Sequence, residues 1–151
     1  MAIQRVGVVG CGLMGSGIAQ VCAAAGFPTV VREVSADLLD KGLKGIEKNL
    51  NRLVEKGAIT EAARSEIRGR LNGTTSLEDL KNADLIVAND VSAEGTGFDG
   101  DTNIVTLFSR DGRDLPLARM SKSEVAHRIL DEVLRLRGVL CSKPASHGAG
   151  D

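Results

Sequence analysis

The sequence predicts an α/β protein whose sheet is doubly wound and mostly parallel, in three layers, with an antiparallel edge from the C-terminal segment. Three observations predict it. A short β-branched run, residues 3–9, ends in a cluster of glycines. Helical stripes then alternate with further short apolar runs at 29–33, 72–75 and 84–89, the signature of strands buried on both faces. Beyond residue 102 the pattern becomes run, turn, run: 103–109, Asp111-Gly112, then 115–117, which suits a hairpin.

Each element follows from its local chemistry. Residues 16–25 are small and mostly apolar, as in a helix pressed onto a sheet, and Gly26 stops it. Ser35 caps the next helix. Its apolar positions Leu39, Leu43, Ile46, Leu50 and Leu53 recur at spacings of four and three, a single stripe for core packing that is too short to favour a coiled coil. Gly57 ends it, and Thr60 caps a shorter helix over 60–70, completing a helical hairpin. Ser76-Leu77-Glu78-Asp79 resembles a capping box before a short helix. Residues 90–101 carry three glycines and few large apolar side chains, so a mobile loop is expected. Pro116 confines the returning strand to an edge. Ser121-Lys122-Ser123-Glu124 is an S-x-x-E capping box, and the helix behind it sets Val125, Ile129, Val133 and Leu136 on one side before Gly138. Residues 1–140 are read as one domain, in parts 1–87 and 88–140, with 141–151 a disordered tail.

Composition excludes several functions. A net charge of -1 offers no basic field to nucleic acid or to an acidic membrane, and three phenylalanines are too few aromatics for a base-stacking platform. No stretch is long and apolar enough to span a bilayer, and residues 1–9 lack a signal-peptide layout. Cys11, Cys22 and Cys141 form no CxxC pair and are odd in number. Neither a disulfide framework nor a zinc site is expected, and reduced thiols point to the cytoplasm. Asp90, Asp99 and Asp101 do not match a calcium-loop spacing, so no metal is assigned.

Gly10-Cys11-Gly12-Leu13-Met14-Gly15 fits G-x-G-x-x-G between a strand and a helix, the context in which the string has chemical meaning. Gly10 makes the turn, Gly12 leaves room for a pyrophosphate, and Gly15 lets helix and strand approach. The helix N-terminus supplies N–H donors and partial positive charge. Glu33 follows Gly15 by 18 residues at the end of the second strand, where a carboxylate accepts the ribose hydroxyls of NAD and repels the extra phosphate of NADP. Arg32 beside it would favour that phosphate, but neighbours on a strand point to opposite sides, and Glu33 is taken as the inward one. A Rossmann-like turn that binds dinucleotide is the reading, set against a turn that is only structural. Cys11 lies where a thiol can be acidified, yet no base is near in sequence and a small loop filler is preferred. His127 and His147 read as surface residues, and no Ser/His/Asp or Cys/His set can be drawn.

Two resemblances run in succession. Residues 3 to about 87 resemble the N-terminal domain of bacterial 3-hydroxyacyl-CoA dehydrogenases, through VGVVGCGLMGSGIAQVCAAAGF, Glu33, SADLLDKGLKGIEKNL and ADLIV. That resemblance implies NAD held by Gly10, Gly12, Gly15 and Glu33, with Leu13 and Met14 as backbone contacts, and a helical hairpin beside an acyl-CoA site. The family continues with a His–Glu pair that is missing here, so no catalytic residue is assigned and a true dehydrogenase would need a partner chain. Residues from about 83 to 137 resemble the C-terminal end of phosphopantothenate–cysteine ligase, through ADLIVANDVSAEGTGFDGDTNIVTLFSRDG, LPL and SKSEVAHRILDEVL. That family activates phosphopantothenate with CTP, and its dimer forms through a sheet edge. The resemblances meet inside ADLIV. Together they imply an engineered or recombined chimera with weak NAD or ADP-ribose binding, with a fold-only chimera or residual CTP or phosphopantothenate binding as alternatives. A homodimer would pair through the edge of strand 103–109.

Overall fold

The computed structural model describes residues 3–89, 102–103 and 105–138. The expected loop at 90–101, its aspartates, Cys141, His147 and the tail lie outside these residues.

Strand β1 (Val6–Val9) leads through the glycine turn into helix α1 (Leu13–Ala24), and β2 (Thr29–Arg32) follows. The long helix α2 (Ala36–Glu55) and the shorter α3 (Glu61–Gly69) form the hairpin before β3 (Leu71–Thr74). A 3₁₀ turn (Leu77–Leu80) returns the chain to β4 (Leu85–Asn89). Then come β5 (Thr102–Asn103), β6 (Val105–Ser109), β7 (Asp114–Pro116), β8 (Met120–Ser121) and α4 (Lys122–Leu136). The main sheet has the order β3-β2-β1-β4-β6-β7, with β1 to β4 parallel and β6 and β7 antiparallel. A separate ribbon pairs β5 with β8. The expected α/β architecture and antiparallel edge are present.

The caps act as their residue types dictate. Ser35 and Thr60 accept from Leu38 and Ala63 N–H, and Ser121 with Glu124 makes the reciprocal box. The expected box at 76–79 forms differently. Ser76 accepts from Glu78 N–H, while Asp79 turns away and takes the hydroxyl of Thr74. Helix α1 starts at Leu13 rather than at residue 16, because the last glycine of the turn already has helical neighbours and needs no further linker.

One face of the sheet carries the core. Val6 and Val8 stand level with Thr29 and Val31 on one side and with Leu85 and Val87 on the other; these in turn face Ser109 and Leu107. All are buried, and helices α1 to α4 pack on this side. The stripe of α2 enters the same core through Ile46 and Leu50, and that of α4 through Val125 and Ile129. Among the described residues the opposite face, with Val9, Ile86, Ala88 and Phe108, is met by the 3₁₀ turn through Leu77 and Leu80 and by Ala83 behind it, and keeps an open cleft of about 560 Å³. That turn is the third layer.

Strand β6 lies between β4 and β7, so it has no free edge; the described edges are β3 and β7. The expected pairing of two copies through strand 103–109 therefore has no open edge there, because the hairpin return through β7 closes it. Pro116 sits on the outer edge strand as its missing N–H requires.

Asp84, just before β4, joins the two parts of the chain. Its carboxylate accepts the N–H of Gln4 and of Arg5 at 2.9 Å and pairs with Arg110 across the sheet. Burial works against the charged carboxylate, but those two N–H bonds and the guanidinium hold its pKa below the usual aspartate value. Among the described residues no helix is long and apolar enough to cross a membrane.

Candidate functional site

The site is the turn between β1 and α1. Gly10 has φ +95°, a conformation that L side chains avoid, and its N–H donates to the Arg32 carbonyl at 2.8 Å. That bond ties the turn to the end of β2. Gly12 is the N-cap of α1 and makes no side-chain cap, so the first turn of the helix has no side chain serving its N–H groups. A Cβ added to Gly12 would meet nothing within 4 Å. Leu13 is 69 % exposed and Met14 half-buried, leaving the approach to those N–H groups along the backbone. Gly15 is different. A Cβ there would overlap the Gly10 carbonyl oxygen and lie 2.8 Å from its carbon, so helix and turn touch backbone to backbone.

Glu33 faces this turn across the tops of β1 and β2. Its Oε1 accepts the Cys11 N–H at 2.5 Å, and its Oε2 accepts the Val34 N–H at 3.0 Å. The side chain is half-buried, and each oxygen keeps a further lone-pair direction for a donor. Arg32 points elsewhere, its Nε donating to the Thr75 carbonyl at 3.3 Å. The alternation of the strand thus separates the two side chains, as their positions predict.

The Cys11 thiol is buried and held in its protonated form. Burial and then the neighbouring Glu33 charge push its pKa up to about 11, and burial does the same to Cys22. The thiol fills a gap against α2. A Cβ on Gly42 would collide with the Cys11 sulfur and lie 2.6 Å from its carbonyl oxygen, so α2 rests directly on the glycine turn. Sequence reasoning missed this role of Gly42. A glycine in the middle of a strong helix was the available signal, since it weakens the helix unless close packing requires it.

The turn brings together Gly10, Gly12, Leu13, Met14, Gly15 and Glu33, the residues that the glycine pattern singled out. Uncapped N–H groups, open space at Gly12 and a carboxylate one strand away are the features a dinucleotide pyrophosphate and ribose require, so the residues present fit NAD. His127 is exposed and far from the turn in sequence, with its Nδ1 2.7 Å from the Ser123 carbonyl of its own helix. Among the described residues no cluster of His, Cys, Asp or Glu is arranged to hold a metal. A second cleft, about 430 Å³, lies between α2 and α3 and is lined by Glu47, Arg64 and Arg68 among others. Neither cleft includes the glycine turn.

Comparison with known proteins divides the chain as its strands do. The family described as "3-hydroxyacyl-CoA dehydrogenase, NAD binding domain" matches residues 5–92. The family described as "DNA/pantothenate metabolism flavoprotein C-terminal domain" matches residues 62–136. A 3-hydroxybutyryl-CoA dehydrogenase of Bradyrhizobium diazoefficiens is 44% identical over 92 residues, 61% of this chain and 31% of that protein. The coenzyme A biosynthesis bifunctional protein CoaBC of Bacillus subtilis is 57% identical over 56 residues, 37% of this chain and 14% of that protein. The crystal structure of Mycobacterium tuberculosis FadB2 superposes with a TM-score of 0.60 at 45% identity, covering 62% of this chain and 33% of that one. The chain spans about a third of the length of the dehydrogenases it matches. The two matched stretches overlap at 62–92, which contains β3, the 3₁₀ turn and β4.

Proposed function

We propose, for a chain that belongs through residues 5–92 to the 3-hydroxyacyl-CoA dehydrogenase NAD-binding domain family, that it binds NAD through its ADP-ribose half, weakly and without turnover. The observation that carries this reading is the uncapped start of α1, open at Gly12, with Glu33 held across from it by the Cys11 N–H. The N–H groups of Gly12, Leu13, Met14 and Gly15 take the pyrophosphate, and the free lone pairs of Glu33 take the adenosine ribose. NAD supplies hydride chemistry when bound; this chain supplies position and charge. Weak affinity is the expected outcome because neither cleft among the described residues takes in the glycine turn, and binding must still overcome the lost freedom of a large ligand.

The test is a thermal melt and calorimetric titration with NAD. At ten times the Kd, binding stabilises the folded chain by about 1.4 kcal/mol, a rise of about 4 °C for a domain of this size. No heat and no shift at 10 mM NAD, about the ceiling of practical titration for a weak site, would end the reading. Glu33→Ala is expected to weaken NAD roughly tenfold, as loss of a charged hydrogen bond does, and to erase the preference of NAD over NADP. Equal binding of NAD and NADP by the unchanged protein would count against the role of Glu33.

The C-terminal part supports a second reading, a remnant of a CTP or phosphopantothenate site, on the strength of its 57% identity to CoaBC. CTP raising the melting temperature more than NAD would favour it. The two family matches, overlapping within one sheet, support a recombined origin, and one sheet with strands from both parts supports reading 1–140 as one domain. Free thiols at Cys11 and Cys22 favour a cytoplasmic location. A homodimer would use β3 or β7, the described edges.

A further inference from the structure

We propose that Asn89 is the contact for the nicotinamide half of the dinucleotide, a role that rests on the NAD reading above. Asn89 is the last residue of β4. Val9 pairs with Ala88, which sets Asn89 one step further, level with Gly10. It is also level with Val105, a wholly buried residue, so its side chain rises on the helical side of the sheet, the side on which α1 begins. Here β1 and β4 lie side by side while their onward connections leave in opposite directions: β1 leads to β2, and β4 to β6. In open α/β sheets a ligand that starts at the first helix continues across this point.

The side chain itself points to a ligand. Asn89 Oδ1 is buried and accepts no hydrogen bond, the one such side-chain atom among the described residues. A buried acceptor without a donor is destabilising, and natural chains keep such groups for a reason. The neighbours in β4 show the contrast, since Leu85 and Val87 on the same side are apolar and fully packed. The oxygen makes no bond within the chain that a donor at the mouth of the site would have to displace. There it accepts from a donor, and the nicotinamide half of NAD presents two kinds: the hydroxyls of the second ribose and the carboxamide N–H. ADP lacks both that second ribose and the carboxamide.

The experiment is calorimetry on the full chain with ADP, ADP-ribose and NAD, comparing the unchanged protein with Asn89→Ala and Asn89→Leu. Both variants are expected to bind ADP within twofold of the unchanged protein and NAD about tenfold more weakly. A matching loss with ADP-ribose places the donor on the ribose, and a loss with NAD alone places it on the carboxamide. Thermal melting without ligand gives the second measure. Replacing an unsatisfied acceptor with an apolar group leaves the melting temperature unchanged or raises it, whereas a purely structural asparagine would lower it. Equal weakening of ADP and NAD, unchanged NAD binding in both variants, or a clear fall in melting temperature for both would overturn the assignment. Failure of the unchanged protein to bind ADP or NAD at all would instead remove the NAD reading, and this inference with it.

Discussion

Gly15→Ala is expected to lower the stability of the chain by about 3 kcal/mol, the upper range for forcing an extra carbon into packed structure, and its melting temperature by about 10 °C. The added methyl would overlap the Gly10 carbonyl oxygen. Neither side can yield easily. Gly10 is held at φ +95° with its N–H on Arg32, and α1 is held by its own core contacts at Ala19 and Ala23. Relief requires lifting the first turn of α1 off β1, which also takes its N–H groups away from the proposed pyrophosphate position, so NAD binding is lost with the stability. Gly12→Ala is the control. Its φ of -71° suits any residue and its Cβ would enter open space, so stability should stay within about 0.5 kcal/mol. The methyl nevertheless points into the space assigned to phosphate, and NAD affinity should fall. Differential scanning calorimetry with and without NAD reads both. If the two alanines have equal effects on melting, the backbone contact at Gly15 is not what packs α1 on the sheet.

Glu132→Ala is expected to cost about 3 kcal/mol or more, as removal of one partner from a buried ion pair does. Glu132 is 3 % exposed on the inner side of α4. It accepts the Ser109 hydroxyl at 2.5 Å and three hydrogen bonds from two nitrogens of Arg135, and Arg113 lies 3.6 Å away. Arg135 also reaches Asp111 at 2.7 Å. The network fastens α4 to the β6–β7 hairpin, and the alanine variant leaves a hydroxyl and two guanidinium groups short of their acceptor. Glu132→Gln keeps the Ser109 contact and loses the charge, so it should fall between the alanine variant and the unchanged chain.

The same residue makes stability depend on pH. Burial favours protonation of Glu132, but the Arg135 and Ser109 bonds and the two arginine charges outweigh it and hold the pKa below the usual 4.5. A depressed folded pKa means that the unfolded chain takes up its proton first. The contribution of Glu132 is therefore complete above pH 4.5 and is lost as the pH falls through the lower folded value. Asp84 behaves in the same way below its usual 3.8. Urea unfolding between pH 6 and 3 should show a steeper loss for the unchanged protein than for Glu132→Gln. Parallel curves would show that Glu132 does not drive the acid sensitivity.

Much of this was legible because it is local. The stripes Leu39–Leu43–Ile46–Leu50 and Val125–Ile129 each name a helix and its buried side, and Ser35, Thr60 and Ser121 name three helix starts. The glycine string and Glu33 were readable at fixed spacing because a turn between strand and helix admits few other residue types. Other features depend on partners distant in sequence. Glu132 reads as a surface charge in an amphipathic helix until Ser109 and Arg113 are seen beneath it. Asp84 reads as the first residue of a strand until Gln4, Arg5 and Arg110 converge on it. Strand 103–109 looked like an edge because the sequence does not reveal which side the hairpin returns on.

The sequence by itself determined the order of elements through β4, the parallel half of the sheet, the glycine turn between β1 and α1 and the stretch where one family's pattern passes into another's, while the small β5–β8 ribbon was not legible in it. Each depends on neighbours within a few residues, where steric and hydrogen-bonding preferences act directly. Only the tertiary structure decided that all four helices share one face, that α2 presses on Cys11 at Gly42, that Asn89 is left without a donor beside the turn, that Asp84 ties Arg110 of the C-terminal part to the first strand's approach, and that Glu132 fastens α4 to the β6–β7 hairpin. Those are outcomes of packing, in which the energy of a group is set by what surrounds it in space, and strand periodicity alone does not carry that information.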